Sequence, residues 1–294
     1  MGFPRFLGTQ GMLSRIRTRI QHRDFAVMGR AITARHARCR QWWAPHLACS
    51  RLFLNENLPQ NLGRVAVLGA GRLLDIDLDL LLDRCQEVYL FDADPACERT
   101  WKKRYPEHYG KMLFGRCVDI TNCLASWTAA VRDASSKEKL ESCLRQLQAP
   151  TPRWSEFDFD GCISLNILSQ IPLYWRDRVM RMHPVWGQSV WQALCDSMDV
   201  LQTAHLRGVM KNSRSWNALV TDTEYYFYNV DSPNWDVESA LFAGAQELYN
   251  SSYVGHTKQS WWWHLAPQFI EDNQVGEIHR VEATVNITGG KECM

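Results

Sequence analysis

An uninterrupted apolar run, VAVL at 65–68, breaks at Gly69-Ala70-Gly71. Apolar positions then recur at helical spacing, and a second apolar run, VYLF at 88–91, ends in the acids of DADP. Short continuous apolar runs bounded by turn residues read as strands buried on both faces; spacing near 3.6 reads as an amphipathic helix. On this basis the chain alternates: strand near 64–68, helix near 75–84, strand near 87–91, helix near 95–104 and strand near 113–118. Residues 122–156 are more polar and helical in pattern and end at APTPRW, where two prolines mark a boundary; they read as a helical crossover with an insertion. An apolar, β-branched strand pattern follows at 159–165, then a long helical pattern near 188–210 and a strand near 218–221. Two more strand-like runs, near 260–266 and 278–287, are joined by a connection short enough for antiparallel pairing. The succession predicts an α/β fold, a doubly wound sheet with a late antiparallel element.

The first 60 residues have a different pattern and a different charge. Residues 1–51 hold ten arginines and one acid, Asp24, so this arm carries +9 in a chain of net charge +1, and the remainder is −8. Met12, Ile16, Ile20, Val27 and Ile32 fit one side of a helix packed on the body with its arginines solvated. An Arg-rich, acid-poor arm also fits recruitment of an acidic partner or nucleic acid, or an organelle-targeting presequence. QWWAPHLACSRLFLNENLPQN then reads as a helix-rich lead-in closed by Pro59 and Asn61. The division is a helical N-terminal extension over 1–60 and a single body over 61–294, with its insertion at about 122–156.

Composition narrows the class. The 294 residues are 46% hydrophobic with 13 Trp, which excludes a disordered chain, and no apolar run approaches the roughly 20 residues of a membrane span. Ten cysteines are scattered without a C-x-x-C pair or a histidine at zinc spacing, and read as reduced thiols with no metal site. A soluble, cytoplasmic protein is the expectation, with organelle import through the arm as the alternative.

The glycine turn carries the candidate chemistry. A chain leaving a strand sharply, with its backbone close to a ligand, needs residues that tolerate positive φ and lack a side chain. Asp92 follows Gly71 by 21 residues, the separation at which a carboxylate at the end of the next strand reaches ribose hydroxyls. The dinucleotide fingerprint asks for a third glycine where Leu74 stands, which weighs against NAD or FAD.

With these residues in view, the chain over roughly 60–290 resembles the class I S-adenosylmethionine-dependent methyltransferases. VAVLGAGR is similar to their first motif, VYLFDADP to the acidic end of their second strand, CVDIT with Asp119 to their third-strand acid beside adenine, and ISLNILSQIP to their fourth motif. ALVTDTEY stands where their fifth strand does. The resemblance implies a mostly parallel seven-stranded sheet with an antiparallel last strand and S-adenosylmethionine as cofactor. It implies cofactor contacts at Gly69, Ala70, Gly71, Asp92, Ala93, Asp119, Ile120 and Asn166, and a small-molecule or protein methyl acceptor. The chain departs from the family in lacking an acid just before the glycines, where Ala66, Val67 and Leu68 stand, in Leu73 and Leu74 of the turn, and in LNIL where base and glutamine methylators carry N/D-P-P-Y.

Methyl transfer needs alignment more than covalent help. Asn166, at the end of the fourth strand, is the candidate positioning residue, with Ser169 and Gln170 behind it as functional groups or helix caps. His46, His183, His205, His264, Glu224 and Tyr225 are candidates for proton removal, and Trp42, Trp43 and Trp261 to Trp263 for an aromatic wall or core. Two other classes stay open: a non-catalytic module of the same fold that binds partners through the arm and the tryptophans, and a nicotinamide-dependent oxidoreductase.

Overall fold

The computed structural model describes residues 9–184, 187–232, 234–253 and 258–287. Helices α1 (Thr9–Arg38) and α2 (Arg40–Asn57) precede β1 (Leu62–Leu68), α3 (Leu78–Arg84), β2 (Cys85–Asp92), α4 (Pro95–Arg104) and β3 (Leu113–Cys117). After α5 (Leu124–Arg132), α6 (Lys137–Arg145) and a 3-10 turn (Arg153–Glu156) come β4 (Phe159–Leu165), α7 (Gln170–Met182) and α8 (Gln188–Lys211). The chain closes with β5 (Ser213–Tyr228), β6 (Asp236–Ser239), α9 (Ala243–Ser252), β7 (Lys258–Ala266) and β8 (Gly276–Ile287).

The main path of the sheet is β3-β2-β1-β4-β5-β8-β7, parallel throughout except at β8, which runs antiparallel to both of its neighbours. This is the mostly parallel, seven-stranded arrangement with an antiparallel last strand that the sequence implies; the short β6 adds an eighth strand beside β5. Alternation of side chains along each strand divides the core into two layers. Val65, Val67, Val88 and Leu90 share one with α2, α3 and α4. Ala66, Leu68, Tyr89 and Phe91 share the other with α5, α6, α7 and α8. Strand order reverses between β1 and β4, so the carboxyl ends of these two strands open a crevice, the usual ligand site of such sheets.

Three expectations are corrected. The strand near 218–221 is 16 residues long, because β8 pairs with it from Trp216↔Ile287 to Tyr228↔Gly276 and satisfies its polar half as well as its apolar half. The helix near 75–84 starts only at Leu78, where Asp77 caps it by accepting the Leu80 N–H. The N-terminal arm is helical, but of its predicted apolar side Val27 and Ile32 are 51% and 45% exposed rather than packed on the body. Instead α1 docks through Phe25, stacked on Tyr174 at 4.6 Å, through an Asp24–Arg178 ion pair, and through Arg35 and Arg38, which hold Glu271 at 3.1 and 2.6 Å. The side chains of Met12, Ile16 and Ile20, and Cys293, lie outside the described residues. No described helix is long and apolar enough to cross a membrane.

Candidate functional site

The turn after β1 is fixed from both sides. Gly69 has φ +72°, and a Cβ there would lie 2.9 Å from the Leu165 carbonyl oxygen and 3.0 Å from Ile167 Cβ, so glycine is demanded by the neighbouring β4 end. Gly69 and Ala70 donate their N–H groups to the Phe91 carbonyl at 3.0 and 3.2 Å. Gly71, at φ +50°, donates to Asp92 Oδ2 at 2.9 Å, while Trp101 Nε1 donates to its carbonyl at 3.0 Å. A Cβ on Gly71 would meet only the Gly69 carbonyl oxygen, at 3.8 Å, which leaves open space above the crest of the turn. Leu73 is buried in the left-handed region at φ +58°, a conformation that costs about 1–2 kcal/mol for a residue with a side chain.

Asp92 sits beside that crest. Its second oxygen accepts the Asp94 N–H at 2.8 Å, and burial pushes its pKa above the usual carboxylate range. A carboxylate has about four acceptor positions, so these two backbone bonds leave capacity for a diol. Ala93 follows, its carbonyl accepting from the Cys117 thiol at 3.5 Å. Asp119 is turned inward: Oδ1 accepts from Thr121 N and Oγ1 at 3.0 and 2.6 Å, and Oδ2 from Leu124 N at 3.0 Å, which organises the start of α5. Ile120 is buried and lines a small cavity with Thr121, Leu201 and His205.

Across the crevice, the ends of β4, β5 and β8 gather a second, polar cluster. Asn166 is 6% exposed with φ +51°, a left-handed conformation uncommon outside glycine and tolerated best by Asn and Asp. Its N–H bonds the Val220 carbonyl at 2.7 Å, its Nδ2 donates to Asp75 Oδ2 at 2.9 Å, and its Oδ1 is buried without a partner. From α2, His46 stacks on Trp263 with centroids 4.1 Å apart and accepts the Trp261 Nε1–H on Nδ1 at 3.0 Å; Trp43 meets Trp263 edge-on at 5.0 Å. Burial lowers the His46 pKa to about 4, with Asp222 opposing and His279 reinforcing the shift. Ser169 opens α7 but caps nothing: its Oγ donates to Asp222 Oδ2 at 2.7 Å. Tyr225 OH reaches the Ser169 carbonyl at 3.3 Å.

Asp222 also faces His279 at 3.2 Å, and His279 bonds Glu277 at 2.8 Å through its other nitrogen. Burial alone would lower the His279 pKa, but the two carboxylates outweigh it and raise it to about 9. Burial would raise Asp222, and His279 together with Ser169 and His46 holds it below its ordinary value. Burial raises Asp75 to about 6 against hydrogen bonds from its own backbone and Asn166 and the charge of Arg51, with Asp92 adding to the rise.

The remaining sequence candidates lie elsewhere. His183 bonds the Val131 carbonyl at 2.8 Å at the far end of α7, and His205 pairs with Ser164 at 2.8 Å inside the opposite layer. His264 is exposed on β7, Glu224 is engaged with Tyr226 and Arg280, Gln170 is half-buried at the start of α7, Trp42 is half-buried, and Trp262 is exposed against Tyr226. Asp75, Asp222, Glu277 and His279 were not anticipated. Asp222 stands just beyond the apolar run of β5, a usable signal; Asp75 follows the glycine turn, away from the end of β1 at Leu68, and His279 enters only through pairing opposite Tyr225 and Trp263.

No protein-family model and no curated protein sequence matches this chain. Among solved structures it is similar to the magnesium protoporphyrin IX methyltransferase of Synechocystis PCC 6803 with bound SAH, at 12% identity over 91% of this chain and 99% of that one, with a TM-score of 0.39. It is also similar to an rRNA methylase from Streptococcus thermophilus, at 10% identity over 80% of this chain and 93% of that one, with a TM-score of 0.30. At such values the likeness adds nothing to what the strand order itself shows.

Proposed function

We propose that this chain binds S-adenosylmethionine across Gly69–Gly71 and Asp92 and transfers its methyl group to an acceptor held at the mouth formed by β4, β5 and α2. One observation carries the reading: the Gly71 N–H and the Asp92 carboxylate meet at adjacent strand ends beside an open crest, on the sheet position where ligands bind. The residues suit the group. Asp92 has acceptor capacity for ribose hydroxyls, Gly71 lets the backbone approach, and Asn166 presents an unmatched amide oxygen.

The bound cofactor supplies an electrophilic methyl group on a sulfonium. The protein then has to orient, to exclude water and, for some acceptors, to remove a proton. Proton removal finds no free imidazole in the cluster: His46 Nδ1 is occupied by Trp261, and His279 is protonated at neutral pH between two carboxylates. Alignment by Asn166 and enclosure by the α2 tryptophan wall are therefore the protein's main contributions.

The test combines binding with turnover. Calorimetry with S-adenosylhomocysteine and with NAD should give saturable binding of the first alone, and incubation of cell extract with methyl-tritiated S-adenosylmethionine should give protein-dependent labelling of a small molecule or protein. Binding of NAD without S-adenosylhomocysteine would contradict the proposal and support an oxidoreductase. Binding with no labelled acceptor in any extract supports the non-catalytic module, in which Trp43, Trp261 and Trp263 serve docking of α2.

A further inference from the structure

Alternation along β7 sends its three tryptophans to opposite faces of the sheet. Trp261 and Trp263 turn toward α2, whereas Trp262, in register with Arg280 of β8, stands on the other face and is 50% exposed. The inner part of that face lies under α9, where Tyr249 OH donates to Glu282 Oε2 at 3.0 Å. Farther out, where β6 pairs with β5, Trp235 and Val237 are 51% and 54% exposed. Tyr226 packs edge-on against both outer indoles, at 6.3 Å from Trp235 and 5.1 Å from Trp262. A row of aromatic rings left open on a sheet face is a patch that proteins ordinarily cover or use.

The row borders a polar cavity of about 230 Å³, room for several waters. Its charges are balanced. Glu282 is held by Lys258 Nζ at 2.6 Å and stands 3.7 Å from Arg280 Nη2; Glu224 accepts from Tyr226 OH at 2.8 Å and faces Arg280 Nη1 at 3.4 Å. A phosphate would be repelled by the two carboxylates and an ammonium by the two cations, so the cavity favours a neutral ligand. Gln246 and Asn250 add amides, which donate and accept. This mixture suits a group that also does both, and the hydroxyl is that group. The rim asks for a flat apolar surface, because the negative π-face of an indole attracts weakly positive C–H bonds. A pyranose carries both, with hydroxyls around its edge and C–H bonds across one face.

We propose that this cavity binds a neutral carbohydrate, one sugar ring lying on Trp262 and its hydroxyls bonding Glu224, Arg280 and Asn250. The site is independent of the cofactor crevice: the sheet separates it from the His46 and Trp263 cluster, and it involves no nucleoside.

Saturation-transfer NMR and calorimetry of the full chain with the methyl glycosides of glucose, galactose, mannose and N-acetylglucosamine test it. At least one should bind saturably, with transfer to its ring C–H protons. Trp262→Ala should weaken that glycoside by about 3- to 10-fold through loss of the stack, and Glu224→Gln by about tenfold or more through loss of a charged hydrogen-bond partner. Both side chains are partly exposed, so both variants should fold, which circular dichroism checks. Absence of saturable binding for every glycoside overturns the site, as does binding that both variants retain at full affinity. Preference for hexauridylate over the glycosides, lost in Trp262→Ala, would make the rim a platform for stacked bases and overturn the carbohydrate. A concentration-dependent dimer that dissociates in Trp262→Ala would assign the face to a second copy of this chain and overturn it as well.

Discussion

The two sides of the crevice are built in different ways. On the β1–β2 side, the groups that matter are backbone N–H donors and one carboxylate, held by bonds between residues 30 or fewer positions apart, such as Gly71 to Asp92, Asp94 to Asp92 and Trp101 to Gly71. On the β4–β5–β8 side, the groups are side chains from distant segments: His46 meets Trp261 across 215 positions and Asn166 meets Asp75 across 91. The first side is a local motif that folds into shape with two strands. The second exists only once α2 and the terminal strands have docked, so its integrity and its charge states depend on tertiary packing, whereas those of the turn depend on dihedral angles.

That contrast can be broken by mutation. Trp263→Ala removes a buried indole sandwiched between His46 and Trp43, and should cost about 3–5 kcal/mol in denaturant unfolding while leaving the turn's chemistry in place. An equal loss of methylthioadenosine binding would show that the two sides are one unit. The next effect is on the alkaline side. His279 is raised from 6.5 to about 9, so its contribution is fully present below pH 6.5 and lost as pH rises through 9, on the order of 3 kcal/mol; His279→Gln should flatten this fall in stability.

On the acid side two groups of the mouth oppose one another. His46, lowered to about 4, makes stability fall as pH drops from 6.5 to 4, while Asp75, raised to about 6 by burial with Asp92 adding and Asn166 and Arg51 opposing, makes it rise as pH drops from 6 to 4. The wild type should therefore be nearly flat across this window in equilibrium unfolding, and Asp75→Asn should expose the His46 slope, on the order of 2–3 kcal/mol in total. A flat profile in that variant would show that His46 is not buried neutral. The smallest effect is expected on α1: Ile32→Ser should change stability by no more than about 0.5 kcal/mol, because that side chain faces solvent.

The part of the molecule that was legible in the sequence is the part whose causes are local. Val65–Leu68 is a continuous apolar run and Phe159–Leu165 a largely apolar one because both faces of those strands are covered, and Pro95–Arg104 announces itself by Asp94 as cap and proline at the first turn. Asn166 was legible as the first polar residue after a buried strand, and Asp92 by its distance from the glycines. What escaped has a long-range cause. The polar half of β5 is a strand because β8 lies beside it, and Asp222 and His279 form a pair because a register places them together. Val27 and Ile32 of α1 misled for the same reason: helical periodicity names a face, but what the helix docks against, here Tyr174, Arg178 and Glu271, is decided by the rest of the chain.

The central claim is that Gly71 and Asp92 form one nucleoside site, and titration of S-adenosylhomocysteine into the wild type and into Asp92→Ala tests it most directly. The account predicts saturable one-to-one binding to the wild type and a loss of at least about tenfold in the variant, since its carboxylate supplies charge-assisted bonds to the ribose. The variant should remain folded by thermal unfolding. Equal affinity of a folded Asp92→Ala and the wild type would contradict it.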